Sequence, residues 1–229
     1  MIFAIADLHL PSTLGKTMDR FGSQWADHPE KLRRAWIERV GPGDSVLICG
    51  DTSWAMRPHE AIPDLEFVAS LPGNKYLIRG NHDYWWARSG TRKLQATLPP
   101  GMTLLQGAGI VIEGIGVAGT RGWESESVNP SPEDSRILNR ELAYLKSALR
   151  QLPPGPRVAM LHYPPYHPSL EWNEFGLLLL DAGVELAIFG HLHAGNPHVL
   201  QGRVDGIELQ LVAADQVAFT PQPLALQKQ

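Results

Sequence analysis

The chain has 229 residues, 43% of them hydrophobic and 19% charged, with a net charge of -4. That length supports one sizeable core, expected as a single domain over residues 1–229, and the mixture excludes disordered and fibrous classes. The weak negative charge gives no indication of general affinity for nucleic acid or anionic membrane, and leaves room for a local positive pocket. Cys49 is the only cysteine, so no intrachain disulfide can form. The N-terminus enters an apolar strand without a basic leader, and no apolar run approaches the roughly 20 residues needed to span a bilayer. A soluble, cytoplasmic protein is expected.

Ile2 to Ala6 reads as a buried strand followed by Asp7-Leu8-His9. Alternate residues at a strand end point to one side, so Asp7 and His9 can converge, although a turn aspartate beside an incidental histidine fits as well. Pro29 to Val40 has helical spacing at Leu32, Trp36 and Val40, with Gly41-Pro42 as its stop. Ser45 to Cys49 is a second buried strand, and it ends in Gly50-Asp51. A helical region over Pro58 to Leu71 is expected to break near Pro63, where a backbone donor is missing.

The apolar run Lys75 to Ile78 leads into Gly80-Asn81-His82-Asp83. These four residues supply a neutral oxygen, an imidazole and a carboxylate able to orient either one. Tyr84-Trp85-Trp86 follow; aromatics beside a polar site line a cleft or belong to the core, and the sequence leaves both readings open. From Thr103 to Thr120 short strands alternate with glycine turns. Arg121 then lies among glycines, either as a planar fork for a phosphate or as a solvated loop residue. Glu124 to Asn129 reads as polar loop. Ser131-Pro132-Glu133-Asp134 has the form of a capping box, and Leu138, Leu142, Leu145 and Leu149 give its helix one apolar stripe for the core.

Arg157 to Leu161 is a further strand, ending in His162, with His167 close behind as a candidate substrate contact. Glu171 to Asp181 is expected to be helical. Glu185 to Phe189 ends in Gly190-His191-Leu192-His193. A closing antiparallel hairpin is expected around Gly206, with a surface or frayed tail after Phe219.

Five strands thus end in Asp7/His9, Asp51, Asn81/His82/Asp83, His162 and His191/His193, and five of the nine histidines fall there. The carboxyl ends of strands in open α/β sheets form the binding crevice, so these groups should meet. Mixed nitrogen and oxygen donors suit manganese, iron or zinc, and there are more of them than one ion needs. Two-metal sites with ions about 3.5–4 Å apart serve phosphoryl hydrolysis.

In this order the motifs D-x-H, G-D, G-N-H-D, H and G-H-x-H closely resemble the calcineurin-like metallophosphoesterase superfamily, from Asp7 to His193. The resemblance implies a four-layer αββα sandwich, two mixed β-sheets packed face to face with helices outside. It implies that Asp7, His9 and His193 hold one divalent ion, that Asn81, His162 and His191 hold a second, and that Asp51 bridges both. His82 matches the histidine that contacts the phosphoryl group or protonates the leaving oxygen, with Asp83 orienting it. The expected activity is two-metal hydrolysis of a small-molecule phosphoester, a nucleotide-like phosphodiester above all, with manganese as the expected metal. Trp54, Trp85, Trp86 and Trp123 lie in or near loops that would wall the cleft, with Trp85, Arg121 and His167 as candidate substrate contacts. Phosphomonoesterase and protein phosphatase activities of the same superfamily are the alternatives, with a non-catalytic scaffold as the rival class. Seven retained ligand-type residues plus the His82-Asp83 pair argue against the scaffold.

Overall fold

A computed structural model describes residues 1–11, 18–87, 90–124 and 129–226. Residues 125–128 of the expected polar loop and the last three of the expected tail lie outside the described residues. The order begins with β1 (Ile2–Ile5), two short 3-10 turns at Met18–Phe21 and Ser23–Trp25, and α1 (His28–Arg39). Then come β2 (Ser45–Cys49), α2 (Pro58–Ser70), β3 (Asn74–Ile78), α3 (Tyr84–Ala87), α4 (Thr91–Gln95), β4 (Met102–Leu104), β5 (Gly109–Ile112) and β6 (Ile115–Thr120). The chain continues through α5 (Pro132–Arg150), β7 (Arg157–Leu161), α6 (Glu174–Asp181), β8 (Leu186–Phe189), β9 (Gly202–Val204), β10 (Ile207–Leu211) and β11 (Gln222–Pro223).

These strands form two mixed sheets, ordered β11-β1-β2-β3-β4 and β5-β6-β7-β8-β10-β9. β1 to β4 run parallel, as do β6, β7, β8 and β10, while β11, β5 and β9 pair antiparallel at the edges. Strands covered on both faces read as continuous apolar runs, because both sets of alternate side chains are buried. Phe3 and Ile5, Val46 and Ile48 pack with Leu32, Trp36, Leu65 and Val68 of α1 and α2. Their neighbours Ile2, Ala4, Leu47 and Cys49 face the opposite way, onto Val158, Met160, Leu186 and Ile188 of the second sheet. On the far face of that sheet, Ala159, Leu161 and Phe189 meet Leu145 and Leu149 of α5 and Leu179 of α6. Three successive apolar layers therefore separate helices, sheet, sheet and helices, the four-layer α/β sandwich expected for a metallophosphoesterase.

Three local expectations are corrected. α2 is unbroken through Pro63. The proline is exposed, so the one hydrogen bond it removes leaves a carbonyl on the solvent side rather than in the core. The tail after Phe219 is not frayed throughout, since Gln222–Pro223 adds an edge strand to β1. The closing hairpin exists as β9-β10, but β10 also lies parallel to β8 and so continues the sheet. Among the described residues no helix is long and apolar enough to cross a membrane.

Candidate metal centre

The carboxyl ends of β1, β2, β3, β7 and β8 meet where the two sheets adjoin. Ala6 N–H donates to the Val212 carbonyl at 2.8 Å and Ala214 N–H to the Ala6 carbonyl at 2.9 Å, tying the sheets at that edge. Just beyond, the chain reverses sharply. Asp7, His9, Asp51 and His191 all have positive φ, between 45° and 68°. Non-glycine residues adopt this left-handed conformation at a cost, and clusters of it mark built sites. Glycines let the loops close on one another. A methyl at Gly80 would fall on Asp51, and one at Gly190 on the Asp7 carboxylate and Ala6.

Two donor groups form within this space, Asp7 with His9 and His193, and Asp7 with Asp51 and His162; within each, the donor atoms lie inside 4.8 Å of one another. Asp7 is common to both. His9 Nε2 stands 3.9 Å from an oxygen of Asp7 and 3.9 Å from one of Asp51. His162 Nε2 stands 3.5 Å from Asp51 Oδ2. His162 Nδ1 donates to the Cys49 carbonyl at 3.1 Å, which fixes the tautomer and turns the Nε2 lone pair inward. That lone pair faces the oxygen of Asn81. Two acceptors directed at each other repel unless a cation lies between them. Both ring nitrogens of His9 and one oxygen of Asp7 are buried with no hydrogen-bond partner among the described residues. Unpartnered buried polar atoms are costly, and coordination of a metal removes the cost. The donor set therefore fits one or more divalent cations. The His191 ring lies beside that of His162, with centroids 5.2 Å apart.

The electrostatics point the same way. Burial pushes the Asp7 carboxyl up to about 7, partly opposed by the neighbouring His193 charge. Burial also raises Asp51, with the Asp83 and Asp7 charges adding to it. Burial pulls His9 and His162 well below the usual imidazole range, and His191 down to about 4. Histidines that stay neutral beside carboxylates that resist ionisation form a site in want of positive charge. His193 is the exception. Burial lowers it, but hydrogen bonding to Asp215 and the Asp7 charge outweigh that and raise it.

Asp215 was not foreseen. Its side chain is 1% exposed and accepts from His193 Nδ1 at 3.0 Å and from the Ala194 N–H at 2.8 Å. It follows β10 as Asp7 follows β1, a fourth strand-end carboxylate on a sixth strand, concealed by reading β10 only as half of a hairpin.

The remaining candidates separate. The half-buried His82 ring sits against Trp54, with centroids 4.4 Å apart, and 5.7 Å from His9, with Tyr84 Oη 3.5 Å from its Nδ1. Asp83 is not directed at that ring. Its Oδ2 accepts from the N–H groups of Gly80 and Asp51, and its Oδ1 from those of Thr52 and Ser53 and from the Trp85 indole, at 2.8–3.2 Å. Asp83 locks two loops together. Trp85 and Trp86 are buried, so neither lines a cleft; the indole–Asp83 bond turns Trp85 inward. Arg121 is 6% exposed, lies over the Trp123 ring at 4.6 Å and approaches Glu141 at 3.7 Å, which holds it in the interior rather than reaching out as a fork. Burial pulls its pKa down to about 10. His167 contacts Glu124 at 3.3 Å in a separate cavity beside Trp123.

A family model for calcineurin-like phosphoesterases matches residues 1–195. Gene 66 protein of Mycobacterium phage L5 is 33% identical over 78 residues, 34% of this chain and 37% of its own length. Gene 66 protein of Mycobacterium phage D29 is 34% identical over 84 residues, 36% of this chain and 40% of its own length. The chain thus spans less than half the length of these relatives. Among solved structures, phosphopantetheinyl hydrolase PptH from Mycobacterium tuberculosis has a TM-score of 0.60 at 18% identity, covering 93% of this chain and 88% of that one. AQ665, a protein of unknown function from Aquifex aeolicus, has a TM-score of 0.53 at 14% identity, covering 97% and 94%. Those two likenesses concern the fold, whereas the family model takes in every strand end that meets at the site except that of β10. The chain belongs to the calcineurin-like phosphoesterase family.

Proposed function

We propose that the chain is a dinuclear metal-dependent phosphohydrolase acting on a small, nucleotide-like phosphodiester, its residues 1–229 forming one cytoplasmic catalytic domain. The observation that carries this is the pair of donor groups sharing Asp7, in which Asp7 and His9 carry buried polar atoms with no hydrogen-bond partner among the described residues. Asp7, His9 and His193 would hold one ion and Asn81, His162 and His191 the other, with Asp51 between them. Nitrogen and oxygen donors without thiolate favour manganese, with iron or zinc as substitutes. Ions held there supply Lewis-acid polarisation of the phosphoryl oxygens and an acidified water.

The protein's own groups do the rest. His82 is half-buried beside His9, within reach of a leaving oxygen, and serves as general acid through its ring nitrogen. The Asp51 carboxylate accepts the His82 N–H at 2.8 Å, so the acid and the expected bridging ligand move as one. A diester is favoured over a monoester because the described residues place no cationic clamp at the site. Arg121 is held by Glu141 and Trp123, and no lysine or arginine lines the cavity beside the histidines among the described residues. A doubly charged monoester gains more from such a clamp than a singly charged diester does.

The test compares bis(p-nitrophenyl) phosphate with p-nitrophenyl phosphate on manganese-loaded protein. Faster turnover of the diester is expected, with His82→Ala losing roughly 100- to 10,000-fold. A monoester preference would overturn the substrate class. Absence of turnover together with a metal content near zero would overturn the enzyme.

A further inference from the structure

A cavity of about 330 Å³ opens directly onto His9, His82 and His193. Its walls are Met18, Phe21, Trp25 and Trp54, contributed by the two 3-10 turns and by the loop after β2. None of these four belongs to a metal-binding pattern, and the structure gives them a geometry of their own. Trp54 stacks on His9 with centroids 4.9 Å apart at 22° and donates its indole N–H to the sulfur of Met18 at 3.2 Å. Trp25 meets His9 and His193 edge-on, each at 5.8 Å. Phe21 stands at the mouth, 59% exposed, and contributes little to the core.

We infer that this cavity is the leaving-group pocket and that it takes an uncharged, flat aromatic group, an aryl ring or a nucleobase, attached to the phosphoryl oxygen that His82 protonates. The inference rests on the phosphoesterase reading and names what that reading leaves open. Three observations select the occupant. The cavity borders His82, and the group that receives a proton from His82 must depart on that side. Its size is at the lower end for small-molecule sites, which run from about 300 to 1,000 Å³, so it admits one ring system with a short spacer rather than a long chain. No lysine or arginine lines it among the described residues, and the Asp215 carboxylate lies at its edge. A leaving group bearing a second phosphate or a carboxylate would find no lysine or arginine to pair with there, whereas aromatic walls favour offset or edge-on contact with another ring.

Non-hydrolysable phosphonates read the pocket without the chemistry of bond cleavage. Calorimetric titration of manganese-loaded protein with benzylphosphonate and methylphosphonate compares one charged head with and without a ring. Benzylphosphonate should bind roughly 10- to 100-fold tighter, the gain from burying one phenyl group. Phe21→Ala, at an exposed position where folding is spared, should cut that ratio by about three- to tenfold. Equal binding of the two phosphonates, binding of neither, or a ratio that Phe21→Ala leaves unchanged would overturn the pocket. Hydrolysis of bis(p-nitrophenyl) phosphate is measured on the same sample. Metal-dependent turnover with equal phosphonate binding removes the pocket and keeps the enzyme. A retained ring preference without turnover removes the enzyme and keeps the pocket.

Discussion

Both oxygens of Asp83 point into the loops after β2 and β3, where they accept four backbone N–H groups and the Trp85 indole. Removing that carboxylate leaves buried donors unpaired at roughly 1–3 kcal/mol each. Because the losses share one site and do not simply add, Asp83→Ala is expected to destabilise the fold by about 3 kcal/mol or more, read as a shift in urea midpoint. A variant that keeps full stability and changes only the pH profile of turnover would instead restore Asp83 as the partner of His82. Asp215 is the complementary case, because it touches a ligand-type residue directly. Its bond to His193 Nδ1 leaves Nε2 as the ring nitrogen that a metal could take. Asp215→Asn should weaken manganese binding by roughly 10- to 100-fold. Direct titration separates this from a folding defect, which would lower the melting temperature and leave the affinity of the folded fraction intact.

Between elements, the site depends on strand ends approaching more closely than a side chain allows. Gly190 follows β8 and abuts the Asp7 carboxylate that follows β1. Gly190→Ala is expected to push that carboxylate aside while both sheets stay formed, so metal content by mass spectrometry should fall and the far-ultraviolet circular dichroism should hold. An unchanged metal count would show that the loops can part without loss of the centre. Much of this level was legible in the sequence. β2 and β7 have the expected bounds, because two-sided burial writes itself as an unbroken apolar run. The capping box at Ser131 opens α5 as its pattern implies. What escaped depended on partners distant in sequence. Two residues of β11 carry no periodicity, and only the free edge of β1 makes them a strand. Asp215 was hidden because parallel pairing of β10 with β8 leaves no local mark. Trp85 and Trp54 are alike in sequence context, and only the packed structure sends one into the core and leaves the other half-buried against the histidines.

At the scale of the whole molecule, the centre is a cross-link between sheets. Asp7, Asp51 and Asn81 follow strands of the first sheet, and His162, His191 and His193 follow strands of the second. Any ion bound by both sets holds the two halves of the sandwich together at one edge. The ion-free site is short of positive charge, because burial keeps His9, His162 and His191 neutral and raises Asp7 and Asp51 against ionisation. His193, hydrogen-bonded to Asp215, is shifted the other way, toward its charged form. Removing the ions therefore takes away both a tether and a counter-charge. At about 100 times the dissociation constant a ligand contributes about 2.7 kcal/mol to stability, and in a chain of this size each kcal/mol moves the melting temperature by roughly 2–4 °C. Chelation should accordingly lower the melting temperature by about 5–10 °C, manganese should restore it, and magnesium should do so less well because it favours all-oxygen shells. A melting curve that does not move, in protein shown by mass spectrometry to have lost its metal, would mean that the sheets are held by their apolar interface alone and that the strand-end histidines bind nothing structurally significant.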